Sequence, residues 1–229
     1  MNTDKHTGKA KAAGRRILWK MIILLCVLAL GGFLTQLLVS FLLPTSGVIL
    51  TLWILLLAFT LYFFRDPSPN VPSEEGVIVA PAHGTVDYIG EGDESVYLGG
   101  PCRRISIFLS VFDVHVQNAP IAGQIEYMEH KSGEFINALK LSSATTNENL
   151  LIGLREKSSL RKVSIRLIAG LIARRIVPWV RTGEQVQKGE RIGLIQFGSR
   201  VEIYLPLEST VTIQLGSKVR GGETILAKW

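Results

Sequence analysis

Two long apolar runs close to the N-terminus constrain this 229-residue chain more than any other feature of its sequence. Residues 21–43 form an uncharged run of 23, and residues 48–64 form a second one of 17. A hydrocarbon core of roughly 30 Å needs about 20 helical residues at about 1.5 Å each. The first run therefore suffices to span a bilayer, and the second is at the short limit. Only residues 44–47 separate them, which predicts a transmembrane helical hairpin.

The charges around the two runs predict their orientation. The connector is uncharged, whereas six basic residues precede the first run: Lys5, Lys9, Lys11, Arg15, Arg16 and Lys20. The positive-inside rule places the N-terminus in the cytoplasm, and two spans return the rest of the chain there. We therefore expect a cell-membrane protein with its body on the cytoplasmic side, an orientation that stays open if the second run only lies in the interface. The alternative, a secretory signal peptide, conflicts with the length of the first run and with the lack of a small-residue cleavage site before the second.

The net charge of +6 comes from two local blocks. Residues 1–20 contribute +5, and residues 155–175 hold seven Lys and Arg against Glu156 alone. Basic blocks beside apolar sequence favour an anionic lipid surface, and no nucleic-acid-binding motif or aromatic platform accompanies them. We therefore expect a membrane partner and no nucleic acid. For the second block, solvated charge on a surface helix is the alternative.

The chain divides into a basic cytoplasmic tail (1–20), a membrane anchor of two apolar helices (21–64) and a body (65–229). Short β-branched or alternating runs recur in the body between glycines and prolines, at 76–80, 85–89, 104–109, 115–116, 123–128, 149–153 and 201–205. Residues 163–180 predict a strand that leads into a short helix ended by Pro178. The spacing of Gly183 and Gly189 is typical of barrel-sandwich, lipoyl-like β folds. We predict a β-rich (α+β) body of this kind with one or two helices.

Five sequence blocks occur in an order found in one enzyme family. They are FFRDPSPNVP (63–72), APAHGTV (80–86), FLSVFDVHVQNAPIAGQI (108–125), IAGLIARRIV (168–177) and GLIQFGSRVEIYLP (193–206). Together they resemble phosphatidylserine decarboxylase proenzymes of the short, bacterial and archaeal, pyruvoyl-dependent branch. The resemblance implies a chain that cuts itself between Gly198 and Ser199 by autocatalytic serinolysis. It also implies that phosphatidylserine is converted to phosphatidylethanolamine and CO2.

The chemistry of such a site explains the Gly-Ser pair. The Ser199 hydroxyl attacks the carbonyl of Gly198, whose missing side chain leaves room for the tetrahedral intermediate. Elimination and hydrolysis then leave a pyruvoyl group on Ser199 and two chains, 1–198 and 199–229. In the family this covalent pyruvoyl group forms a Schiff base with the substrate amine and takes up the electrons released with CO2, so no separate cofactor is needed.

Two histidines are candidates for proton transfer. His115, in an Asp-Val-His-Val context that resembles the family's catalytic block, is the expected general acid/base; the alternative is a histidine packed at a strand end. His83 stands where the family usually has Asp, and we hypothesise that it replaces that Asp as the base for self-cleavage, since neutral imidazole accepts a proton near pH 7. Slow or absent maturation is the alternative. A metal site from His83, His115 and His130 lacks any known ligand spacing, so no metal is expected.

A different class of function has to be weighed against the decarboxylase. A non-catalytic, membrane-anchored adaptor with a lipoyl-like β domain would explain the anchor and the glycine spacing, but not Gly198, Ser199 and His115. The lipid backbone of the substrate stays open. Assembly into a homo-oligomer through the β body is suggested by the resemblance alone.

Overall fold

The structure is a computed structural model, and it describes residues 9–134, 146–157, 159–170, 175–196 and 199–229. The chain separates into two compact units, Met1–Phe59 and Thr60–Trp229. The first is helical over its described residues 9–59. The second contains the body (65–229), whose regular elements are antiparallel strands.

Helix α1 runs without interruption over Lys9–Phe63, so the turn predicted at residues 44–47 differs from the structure. Pro44 lies inside the helix and cannot donate a main-chain hydrogen bond. The hydroxyls of Thr45 and Ser46 instead donate to main-chain carbonyls in the preceding turn, at 2.8–3.0 Å. These side-chain bonds go to the carbonyls of residues 41–43, whereas the carbonyl that loses its main-chain donor at Pro44 is that of Ser40. The helix nevertheless continues where the sequence favours a turn.

The apolar part of α1, Ile17–Phe63, is long and apolar enough to cross a membrane, with a mean hydropathy of 2.6. Its 47 residues extend for about 70 Å at about 1.5 Å per residue. That length is more than twice a typical hydrocarbon core.

The strands of the body are short and follow one another closely. Their bounds are β1 Val77–Val79, β2 Gly84–Glu94, β3 Gly100–Leu109, β4 Val116–Asn118, β5 Gly123–Lys131, β6 Asn149–Glu156, β7 Lys162–Ala169, β8 Ile176–Pro178, β9 Gln185–Val186, β10 Arg191–Ile195, β11 Ser199–Leu205, β12 Thr210–Val211, β13 Lys218–Val219 and β14 Ile225–Lys228.

Three sheets form the body, and they confirm the predicted β-rich class. The largest has the order β13-β2-β3-β11-β7-β6-β5-β9, and two three-stranded sheets have the orders β1-β14-β12 and β4-β10-β8. Strand β11 occupies a central place in the large sheet, paired along its length with both β3 and β7. The start of β11 is thereby fixed from both sides.

Side chains on β11 alternate between two environments, as the period of two in a strand requires. Val201, Ile203 and Leu205 belong to the apolar core of the body. Arg200 and Glu202 lie on the opposite face and are equally inaccessible to solvent. The strand is thus buried on both faces, one apolar and one polar.

The prediction of a helix that ends at Pro178 is wrong. Residues 176–178 form the edge strand β8, which pairs with β10 in the register Ile176↔Ile195 to Pro178↔Gly193. β-branched Ile176 and Val177 favour a strand, and a proline is tolerated at the end of an edge strand. The rest of the predicted helix falls on residues 171–174, which lie outside the described residues.

Candidate active site

Ser199 is the first residue of β11, and its side chain is completely buried. It pairs with Leu109 of β3 and with Ala169 of β7. Its Oγ has no hydrogen-bond partner among the residues that the structure describes. A buried hydroxyl without a partner costs about 1–3 kcal/mol, and packing alone gives no reason to keep it. An orphaned hydroxyl at this position fits a residue that reacts. Gly198 lies outside the described residues.

Two connecting segments place His115 on the side of the body where Ser199 lies. One segment joins β3 to β4 and runs from Leu109, the pairing partner of Ser199, to His115. The other joins β10 to β11 and runs from Ile195 to Ser199. The main-chain N–H of Ile195 donates to the carbonyl of His115 at 3.2 Å. These two contacts join His115 to the end of β10 and Ser199 to the end of β3.

The imidazole of His115 is held as a neutral base. The side chain is fully buried, and its ring packs on Phe63 with 4.4 Å between ring centroids. Nδ1 lies 2.9 Å from the main-chain oxygen of Asp113, which can only accept, so Nδ1 carries the proton and Nε2 is the basic nitrogen. Burial lowers the pKa of His115 to about 4, although Asp113 opposes this shift. At neutral pH the ring is therefore uncharged and oriented.

Asp113 organises this loop, a role that was not predicted from the sequence. Its carboxylate accepts from the main-chain N–H of Ser110 at 2.8 Å, which closes a tight turn, while its carbonyl fixes the tautomer of His115. The negative charge of Asp113 also opposes the lowering of the pKa that burial causes at both His115 and His83. An Asp two residues before a candidate base was the only sequence signal, and it identifies no role by itself.

His83 directly precedes β2 and is half-buried. The registers Thr85↔Phe108 and Arg200↔Phe108 place Gly84 two strands away from Ser199, about 10 Å between Cα atoms at the usual strand spacing. Burial lowers the pKa of His83, against the charges of Glu223 and Asp113, which raise it. The charge of Asp113 therefore acts on the pKa of both His83 and His115. This places both on one side of the body, with His83 near the limit of side-chain reach to Ser199.

Gly84 is required by this close packing. Its φ is +153°, and a Cβ added there would lie 2.2 Å from the main-chain oxygen of Phe108. The backbone beside His83 therefore approaches β3 more closely than any other residue type would permit.

Arg200, the neighbour of Ser199, is a second residue whose role the sequence did not reveal. Its guanidinium is fully buried and donates to both carboxylate oxygens of Asp87, at 2.8 and 2.6 Å, and to the hydroxyl of Ser106. Such bidentate, charge-assisted pairs are geometrically specific. The pair therefore fixes the start of β11 across β3 to β2.

The third histidine of the body plays no part in this arrangement. Nε2 of His130, on β5, lies 3.0 Å from Oε1 of Glu148. Within the described ranges, no group of three or more His, Cys, Asp or Glu side chains is placed to hold a metal ion.

Comparison with known proteins identifies relatives of this chain. A family profile described as phosphatidylserine decarboxylase matches residues 56–227. The phosphatidylserine decarboxylase proenzyme of Desulfotalea psychrophila is 44% identical over 77% of this chain and 82% of its own length. The proenzyme of the same name from Carboxydothermus hydrogenoformans is 42% identical over 81% of this chain and 89% of its own length. That from Symbiobacterium thermophilum is 40% identical over 74% of this chain and 79% of its own length.

Proposed function

This chain belongs to the phosphatidylserine decarboxylase family, and we propose that it is a self-cleaving proenzyme that converts phosphatidylserine to phosphatidylethanolamine and CO2. The observation that carries this proposal is the buried hydroxyl of Ser199 at the start of β11, which has no hydrogen-bond partner among the described residues. The loop of the neutral base His115 begins at Leu109, the pairing partner of Ser199.

Maturation begins at Ser199. A base takes the hydroxyl proton, Oγ bonds to the carbonyl carbon of Gly198, and the C–N bond breaks to leave an ester. Loss of the α-proton of Ser199 then expels residue 198 as a carboxylate. The dehydroalanine that remains takes up water and releases ammonia, which leaves a pyruvoyl group at position 199. The products are chains 1–198 and 199–229.

The residues around Ser199 fit such a group. The side chains of Ser199 and Arg200 are buried, and the pair of Arg200 with Asp87 anchors the new N-terminus in the sheet after the chain is cut. The pyruvoyl group supplies an electrophilic ketone that withdraws electrons from the substrate amine carbon. Nε2 of His115, neutral and oriented through Asp113, is our candidate to take a proton from the substrate ammonium and to return it to the substrate carbon once CO2 has left.

We assign His83 to self-cleavage because the family resemblance of the sequence implies an Asp at its position. Its lowered pKa keeps it neutral, and thus able to accept a proton, at pH 7. Gly84, the next residue, lies about 10 Å from Ser199 across two strand spacings, so we propose that His83 acts on Ser199 through an extended side chain or through one water.

The substrate is a membrane lipid, and the division of the chain fits it. We propose a basic tail at 1–20, an anchor at 21–64 and a catalytic body at 65–229 on the cytoplasmic side. An apolar segment of about 70 Å is more than twice a core of roughly 30 Å, so we propose that in a bilayer the chain turns at residues 44–47, in place of the continuous α1, and crosses twice.

Lipid conversion by the full chain in phosphatidylserine vesicles tests the function. The parent should release CO2 and form phosphatidylethanolamine, and Ser199→Ala should do neither and remain one chain. Ser209→Ala is the matched control, because Ser209 is also buried with an unpartnered Oγ among the described residues, yet lies beyond β11. An active Ser199→Ala variant, or an intact and inactive parent as an adaptor would give, contradicts the proposal.

A further inference from the structure

An exposed patch of aromatic and basic side chains surrounds the loop that carries His115. We call it the interfacial patch, and it comprises Tyr62, Phe64, Arg65, Phe112 and Lys218. Phe112 is 64% exposed at the tip of the loop between β3 and β4, three residues before His115. Tyr62 and Phe64 are 47% and 42% exposed. Exposed aromatic residues grouped beside a site mark an interaction surface.

The backbone that presents Phe112 is braced. The Arg65 guanidinium donates to the carbonyl of Phe112 at 2.7 Å, and the Tyr62 hydroxyl donates to the same oxygen at 3.3 Å. Arg65 also stacks over the Tyr62 ring at 3.9 Å from its centroid. The turn closed by Asp113 on Ser110 fixes the other side of the loop. An apolar side chain held outward in this way is presented to a partner.

The charges of the patch indicate the chemistry of that partner. The side chains of Lys218 and of neighbouring Arg220 are 71% and 76% exposed. The acids opposite them, Asp113 and Glu223, are only 20% and 26% exposed and face these cations at 3.9 and 3.6 Å. Positive charge therefore points outward, while the negative charge lies beneath it. Aromatic rings with Lys and Arg are the composition of membrane interfaces, and the cations complement anionic lipids.

Chain continuity points the same way, because the patch begins where the apolar segment Ile17–Phe63 ends. We propose that the interfacial patch docks on an anionic phospholipid surface, with the Phe112 ring inserted among the head groups. Docking would hold the loop of His115 at the level from which a lipid head group enters. Only this last consequence rests on the proposed function.

A fluorescent label at position 112 tests insertion directly. The full chain with Cys26→Ala and Phe112→Cys is labelled with an NBD thiol reagent and reconstituted in vesicles of phosphatidylcholine and phosphatidylglycerol. Cys102 does not compete, because it is buried and its pKa is raised to about 11. Leu160→Cys is the matched control, because Leu160 is 65% exposed in the turn between β6 and β7. This turn precedes β7, whereas Ala169, which pairs with Ser199, lies at the other end of that strand.

We expect the label at 112 to shift its emission to the blue and to be quenched several-fold more by acyl-chain spin-labelled lipid than the label at 160. Equal quenching at the two positions would overturn the proposal. Phe112→Ser should lower the rate on vesicle phosphatidylserine about tenfold and leave the rate on a water-soluble, short-chain analogue unchanged. Equal loss on both substrates would also overturn it. A parent inactive on both substrates, with the label at 112 quenched, would refute the proposed function and leave the docking surface intact.

Discussion

The buried imidazole of His115 predicts a specific dependence of stability on pH. In the folded protein its pKa is lowered from 6.5 to about 4, because burial disfavours the charged ring. The unfolded chain exposes the ring and restores the pKa near 6.5. Between these two values the unfolded state binds more protons than the folded state, so acid favours unfolding.

The size of the effect follows from the two pKa values. A difference of one in pKa corresponds to about 1.36 kcal/mol, so a fall from 6.5 to about 4 corresponds to roughly 3 kcal/mol. This contribution is complete above about pH 7, decreases as the pH falls through 6.5, and is lost by about pH 4. It is a large part of the 5–15 kcal/mol by which domains are typically stable.

His115→Asn isolates this contribution, since an Asn amide can still donate to the carbonyl of Asp113 but does not titrate. The free energy of unfolding is measured by urea titration in detergent micelles at pH 7, 5.5 and 4. Both chains carry Ser199→Ala so that each remains one piece. The chain with His115 should lose roughly 3 kcal/mol more than the Asn variant between pH 7 and 4. Parallel curves for the two chains would refute the inference that His115 is buried and neutral.

Three further predictions concern the surroundings of Ser199. His83→Ala should slow self-cleavage at least tenfold and His83→Asp should restore it, as followed by gel electrophoresis; cleavage at the parental rate in both would make His83 a spectator. Asp87→Ala leaves the guanidinium of Arg200 buried without its carboxylate and should lower the free energy of unfolding in urea by about 3–5 kcal/mol. Ser106→Ala should lower it by only about 1 kcal/mol, and equal losses in the two variants would refute the pairing. Gly84→Ala should lower the melting temperature by about 5–10 °C in the same micelles, because its Cβ meets a backbone carbonyl at 2.2 Å. An unchanged melting temperature would contradict that packing.

The β content of the body could be predicted from local sequence. Alternating or β-branched runs at 104–109 and 201–205 fall within β3 and β11. Such runs predict strands because successive side chains of a strand point to opposite faces, so that core positions recur at every second residue. The five sequence blocks indicated Ser199 and His115 through their resemblance to a family. The structure adds that the hydroxyl of Ser199 is buried and that His115 is neutral.

What the sequence could not predict depends on register and on tertiary context. The pair of Asp87 with Arg200 joins residues 113 positions apart, and it exists because β2 and β11 both pair with β3. The helical interpretation of residues 176–178 failed because it overlooked the strand preference of Ile176 and Val177 and the pairing of this segment with β10. Continuation of α1 through Pro44 was not predicted, because a proline beside polar residues favours a turn.

The central claim is that Ser199 becomes a pyruvoyl group, and the mass of the C-terminal chain tests it most directly. Purified full-length protein is denatured, treated with borohydride or left untreated, and its chains are weighed by intact mass spectrometry. We predict a 31-residue chain, 199–229, that begins with a pyruvoyl group and gains two hydrogens on reduction. An active preparation that consists only of the uncut 229-residue chain, or whose small chain begins with an unmodified serine, would contradict the account.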